Sequence, residues 1–215
     1  SLKAAILAAL QEGSSTLADF VKESLAIDPL YFGVLYRQQD RDIWRRTMGG
    51  RLENYLNLAY ELIGFGFYRD ALEVLADCPV AQPMRFYAQA YTEKRLGGSS
   101  AQRFCEMGEN ANSDYCFPNQ VMECLILQDA IRTLEAAGKA APMANYYLGE
   151  LLYDKKQYDQ AVACWETAIA AKPDLALAHR NLSIAYFNHG DKALAPARIA
   201  AAVALEPTNS RFLLE

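Results

Sequence analysis

Apolar and polar positions recur along this chain in paired stretches of helical period, separated by short polar turns and prolines. The pattern is sharpest near the C-terminus. Residues 142–175 read PMANYYLGELLYDKKQYDQAVACWETAIAAKPDL, and residues 176–209 read ALAHRNLSIAYFNHGDKALAPARIAAAVALEPTN. At a shift of 34 positions Leu148 meets Leu182, Gly149 meets Ser183 and Leu152 meets Tyr186. Ala161 then meets Ala195, Trp165 meets Ile199, Ala168 meets Ala202 and Pro173 meets Pro207. Each period predicts two amphipathic helices packed antiparallel. Small residues at the matched positions let the backbones approach, and the large ones fill the space between ridges. The proline lacks an N–H and disfavours helix in the residue before it, so it ends the second helix. Residues 154–158 and 188–192 are expected to be the polar turns within each pair.

Upstream the pattern weakens. Residues 52–82 carry a third copy through Tyr55, Leu58, Ala59, Leu62, Gly66, Tyr68, Ala71, Leu75 and Cys78, with Pro79 ending the second helix early. Residues 83–141 are expected to be degenerate helix pairs. Phe86, Tyr87 and Ala90 lie on one helix, Gly97-Gly98-Ser99 forms a turn and Phe104 lies on the next, in a register ambiguous by one residue. Residues 121–137 then read as one long helix. Residues 1–51 are expected to be degenerate repeats: a weak copy with Ile6, Leu7, Leu10, Leu17, Val21 and Leu25, then Ile43-Trp44 and a Gly49-Gly50 break. Residues 210–215 read as the start of a further or capping helix. No stretch alternates with the period of a strand, and about one residue in six is Ala, so the expectation is an all-α protein.

Large residues at Leu148, Leu152 and Trp165, small ones at Gly149, Ala161 and Ala168, and Pro173 near the end of the period resemble the tetratricopeptide repeat (TPR). The resemblance implies an α–α superhelix, a right-handed solenoid of antiparallel helix pairs forming one array over residues 1–215. It further implies a concave groove lined by the first helix of each repeat. By that register the groove residues are Met143, Tyr146, Glu150, Tyr153 and Asp154 in one unit and Leu177, Arg180, Ile184, Phe187 and Asn188 in the next. The earlier unit supplies Glu53, Leu56, Tyr60, Ile63 and Gly64. Aromatic, aliphatic and Arg anchors of this kind suit a peptide or helix laid into a groove. The same residues could instead pack against neighbouring helices. TPR domains that clamp a terminal carboxylate carry a fork of Lys, Asn and Arg, where this chain has Leu56, Tyr60, Tyr146, Glu150, Leu177 and Asn181. No carboxylate clamp is expected.

Three strings, MGGRLENYLNLA (48–59), SDYCFP (113–118) and YYLGELLYDKKQYDQA (146–161), resemble the TPR region of large bacterial proteins that carry a β-rich domain of unknown function before the repeats. That resemblance implies a cytoplasmic bacterial scaffold of which this chain is a fragment.

Composition removes several alternatives. With 52% hydrophobic and 22% charged residues the 215-residue chain has globular composition, and a net charge of −5 is not that of a general nucleic-acid binder. No apolar run reaches the length of a membrane span, so neither nucleic acid nor membrane is expected as a partner. The five cysteines, Cys78, Cys105, Cys116, Cys124 and Cys164, form no metal-ligand spacing and are expected to be reduced and mostly buried. His179 and His189 stand about 80° apart on a helical wheel and are expected to be partly exposed, without a catalytic role. No cofactor motif is present. Glu150 and Asp154 share one helix face, whereas glycoside hydrolysis needs two carboxylates on opposite sides of the bond. The reading is therefore a non-catalytic protein-binding scaffold. Self-association through an uncapped solenoid end is the alternative, because such an end exposes an apolar face unless residues 210–215 cover it.

Overall fold

The computed structural model describes residues 17–28, 34, 36, 41–113 and 116–213, so Ile6, Leu7 and Leu10 of the first weak copy lie outside the described residues. Every regular element among the described residues is helical. The chain divides into two compact units, residues 1–80 and 81–215.

In the first unit α1 (Leu17–Ile27), α2 (Arg41–Met48), α3 (Leu52–Gly64) and α4 (Tyr68–Asp77) follow one another. Trp44 is fully buried and meets Tyr36 and Tyr55 edge-on, with ring centroids 5.3 and 5.5 Å apart. The Gly49-Gly50 break turns α2 into α3 with both residues in the left-handed region, φ 63° and 65°, where a side chain is strained. Tyr55, Leu58, Ala59 and Leu62 recur at helical spacing and form the buried stripe of α3, which packs on α4 through buried Ala71 and Leu75. Arg45 Nη2 pairs with Asp77 Oδ1 at 2.9 Å, tying α2 to the end of α4.

The second unit contains α5 (Pro83–Arg95), α6 (Ala101–Asn110), α7 (Val121–Ala136), α8 (Pro142–Asp154), α9 (Tyr158–Ala171), α10 (Ala176–His189), a 3-10 turn (Lys192–Leu194), α11 (Ala195–Leu205) and α12 (Ser210–Leu213). Short turns fold α6 onto α5, α9 onto α8 and α11 onto α10, giving helix pairs of TPR type. The sequence reading needs correction at both turns and at one histidine: Asp154 closes α8 and Tyr158 opens α9. Asn188 and His189 belong to α10, and the turn is taken by Gly190, Asp191 and the 3-10 residues. Asp191 makes this possible by accepting the Ala193 N–H at 2.9 Å, which caps the 3-10 turn. His179 is buried rather than partly exposed, because its Nε2 reaches the Pro173 carbonyl at 2.9 Å across the turn before α10.

Two of these pairs close around a missing side chain. A Cβ on Gly149 would stand 2.5 Å from Trp165 Nε1, so α8 presents bare backbone to the indole of α9. The indole N–H, thus seated, donates to the Tyr146 carbonyl at 3.1 Å. In the α5–α6 pair the roles are exchanged. The small residue is Gly108 on the second helix, where a Cβ would stand 2.5 Å from the Tyr87 ring on the first. This exchange is the physical reason that the pair matches the repeat poorly.

A carboxylate joins the α5–α6 pair to the α8–α9 pair. α8 begins at Pro142 and its N-cap, Ala141, offers no side-chain acceptor. Glu109, from the end of α6, supplies it: Oε2 accepts the Met143 N–H at 2.8 Å and Oε1 the Ala144 N–H at 2.9 Å. The Tyr87 hydroxyl donates to Oε1 at 2.9 Å. Burial nonetheless holds the Glu109 carboxyl above its ordinary range, against these hydrogen bonds. The N-terminus of α7 is capped locally, with Glu123 accepting the Gln120 N–H at 2.8 Å. At the far end Phe212 of α12 is 3% exposed and packs over Ala176 and Ala202. The five cysteines are free, and burial pushes the Cys105 and Cys116 thiols up to about 12, which keeps them neutral.

Gly149→Ala is expected to destabilise the protein by roughly 1–3 kcal/mol, because the pinned indole cannot retreat. Gly64→Ala is the control: it meets nothing within 4 Å at the end of α3 and is expected to be neutral or stabilising by up to about 1 kcal/mol. Denaturant midpoints of the two variants decide the point, and equal midpoints would remove the close-approach argument. Glu109→Ala strands two N–H groups and a buried hydroxyl, with an expected loss of about 2–4 kcal/mol in the same assay.

Candidate functional site

The first helices of the two clearest repeats, α8 and α10, carry the side chains of the expected groove. Glu150, Tyr153 and Asp154 from α8 face Arg180 and Ile184 from α10 across a cavity of about 270 Å³, whose lining also includes Trp165 and Asn181. A second cavity, of about 530 Å³, lies between α10 and α11 and includes Ile184, Phe187 and Asn188, with Lys192, Pro196 and Ile199 on its other side. Ile184 lines both. The two cavities are therefore neighbours along one helix.

The remaining sequence-derived groove residues lie elsewhere. Met143 and Tyr146 are each 5% exposed and line neither cavity; Tyr146 lies beneath Glu150, and its ring meets Tyr147 edge-on at 5.3 Å. Leu177 is exposed at the start of α10 but lines neither cavity. Tyr60 is buried in α3 of the first unit. Trp165 and Asn181 enter the site without having been singled out for it. The repeat register places Trp165 in the core, and its ring is both core and cavity wall. The signal for Asn181 is its i, i+3 spacing to Ile184.

The site is held in place by aromatic packing. Tyr153 meets Trp165 at 5.5 Å and Tyr158 at 5.1 Å, and Tyr158 stacks on His189 at 3.6 Å. Lys192 Nζ lies 5.0 Å over the Phe187 ring at the edge of the second cavity. Glu150 is the unusual group. Its Oε1 accepts the Tyr146 hydroxyl at 2.7 Å, while Oε2 is shut off from solvent with no hydrogen-bond partner. Burial pushes this carboxyl up to about 7, against the Tyr146 hydroxyl, the neighbouring Asn181 amide and the Arg180 charge, all of which favour the ionised form. The Asn181 amide lies near the carboxyl without meeting Oε2 in hydrogen-bond geometry. The wall opposite Glu150 carries Arg180, Asn181 and Ile184, and Asp154 stands on Glu150's own helix. This geometry can grip a side chain; it does not bracket a bond between two carboxylates.

Residues 149–190, which contain most of this site, match a family model described as TPR repeat. The match to tetratricopeptide repeat is over this segment of the chain. Among solved structures, MamA is 18% identical over 90% of this chain and 88% of its own length, at a TM-score of 0.40. MamA from Desulfovibrio magneticus RS-1 (residues 41 to the end) is 20% identical over 73% of this chain and 96% of its own, at 0.34. YrrB, a TPR protein with an unusual peptide-binding site, is 14% identical over 91% of this chain and 88% of its own, at 0.41. Likenesses at this level carry no assignment of a ligand. Among the described residues no helix is long and apolar enough to cross a membrane.

The raised Glu150 carboxyl makes stability depend on pH. A group whose folded value lies above its ordinary one stabilises fully below the ordinary value, and that contribution is lost as pH rises through the folded value. For Glu150 the window runs from 4.5 to about 7. Glu150→Gln removes the ionisation, so the variant is expected to gain on the native protein by on the order of 1–3 kcal/mol between these limits. Urea denaturation of both proteins at pH 4.5 and pH 8 measures this. A gap that stays constant with pH would show the carboxyl to be ordinary.

Proposed function

We propose that this chain is a non-catalytic protein–protein interaction scaffold, and that the groove along α8 and α10 seats a peptide or helix of a partner. One observation carries the reading: two adjoining cavities on repeat sequence, sharing Ile184, with Phe187 left 59% exposed beside them. An apolar ring this exposed, next to a concave surface with a few fixed polar groups, is what a binding groove requires. In this reading residues 142–175 and 176–209 are the units that form the groove, residues 52–82 are a further repeat, and 1–51 and 83–141 are degenerate ones. A bacterial, cytoplasmic setting belongs to the same proposal.

Phe187→Asp and Ile184→Asp test it. Phe187 is exposed, and substitution there is expected to move the melting temperature by about 2 °C or less. Partners retained by the native chain from a lysate are expected to fall at least tenfold with Phe187→Asp, and further with both changes. Undiminished retention by variants that melt normally would place binding on another face.

A further inference from the structure

The two cavities are the same place one repeat apart. Four residues of the α8–α9 pair line the first: Glu150, Tyr153, Asp154 and Trp165. Moved by 34 positions these become Ile184, Phe187, Asn188 and Ile199, and all four line the second. The difference lies in the opposite wall. In the first cavity α10 supplies it, through Arg180, Asn181 and Ile184. In the second, every lining residue among the described ones belongs to α10, α11 or the 3-10 turn between them. Resting on the groove reading above, we propose that the second cavity seats an amphipathic α-helix of a partner protein, laid parallel to α10 in the place that α10 itself holds on the preceding pair.

Burial follows the same division. Trp165 is 2% exposed, whereas its counterpart Ile199 is half-buried. Tyr153 is half-buried, whereas its counterpart Phe187 is exposed. The line of the helix is also marked. Phe212 of α12 packs over Ala176 and Ala202, at the first turn of α10 and the last of α11. Ser210 stands 34 residues after Ala176, so α12 starts on α11 as α10 starts on α9. From there α10 runs on to Ser183 and Phe187 while α11 runs back to Ile199 and Pro196, and the cavity lies further along that line. A helix suits apolar walls because its backbone N–H and C=O groups are satisfied internally, whereas an extended segment would present them unpaired.

The chemistry of the helix follows from the residues that differ. Glu150 and Asp154 give way to Ile184 and Asn188, so a charged wall becomes an uncharged one. The matching helix therefore carries apolar side chains where α10 carries Arg180 and Ile184. Further along, His189 of α10 stacks on Tyr158 at 3.6 Å. Lys192 stands 34 residues after Tyr158, with its Nζ 5.0 Å over the Phe187 ring. A carboxylate in the place of His189 meets this ammonium, which gives the helix an acidic residue at its C-terminal end.

The test uses the whole chain and fluorescent ten-residue peptides stapled on their outer face, since a free helix this short does not hold in water. Position 1 is the counterpart of Arg180, position 5 of Ile184 and position 10 of His189. The reference peptide has Leu at 1 and 5 and Glu at 10. A second has Lys at 10, and a third, unstapled, has Pro at 4. By anisotropy the reference is expected to bind at least about tenfold more tightly than the Pro peptide. Glu at 10 should be preferred to Lys by about threefold, and Lys192→Glu, at an exposed position, should reverse that order. Equal binding of the stapled and Pro peptides overturns the helix while the groove reading stands. A Glu preference that Lys192→Glu leaves unchanged overturns the parallel placement. Sedimentation as a dimer that shuts out the reference peptide assigns the cavity to a second copy and overturns the partner helix. If no peptide binds at millimolar concentration the inference falls, and the groove reading falls with it only where Phe187→Asp also leaves retention of lysate partners undiminished.

Discussion

The second unit depends on how closely two antiparallel helices can approach. Trp165 can come this close to α8 only because Gly149 has no side chain, and from that position its N–H reaches the Tyr146 carbonyl. The helix pair, the cavity wall formed by Trp165 and the position of Tyr153 against that ring all follow from one absent methyl group. The α5–α6 pair meets the same constraint with the partners exchanged, Gly108 yielding to Tyr87. Close packing fixes the need for a small residue opposite a large one, but leaves free which helix carries which.

Polar groups take the places that this packing leaves. Glu109 and Glu150 are both half-enclosed carboxyls held above their ordinary range by burial, yet they do different things. Glu109 has donors for both oxygens, two of them backbone N–H groups at the head of α8, and so joins one helix pair to the next. Glu150 has a donor for one oxygen only. A buried carboxyl that is fully satisfied holds structure together, whereas one left half-satisfied is driven toward its neutral form.

Most of the helical layout was legible in the sequence, because helix period, glycine breaks and prolines are local signals. Residues 142–209 show their helices through the 34-residue recurrence, and Val121–Ala136 is visible as one long pattern. The errors arose where one specific polar contact outweighed the periodic pattern. His179 is buried because a carbonyl six residues earlier in the chain folds back to it. Asn188 continues α10 because Asp191 caps the turn after it. Glu109 gave no sign of its role, since the N–H groups it accepts are 34 and 35 residues away.

The same division applies to the site. The sequence by itself determined that α8 and α10 exist and which of their faces are apolar or polar, since periodicity encodes the direction in which each side chain leaves its helix. The register implied by the resemblance to the tetratricopeptide repeat put Glu150, Tyr153, Asp154, Arg180 and Ile184 on the groove side, and these five share one cavity. Only the tertiary structure decided that Tyr146 and Met143 are covered, that Trp165 is a wall as well as a core residue, and that Glu150 keeps one oxygen unpaired. The reason is physical: burial and hydrogen-bond satisfaction depend on what the neighbouring helix brings within a few ångströms, and helical period carries no information about that.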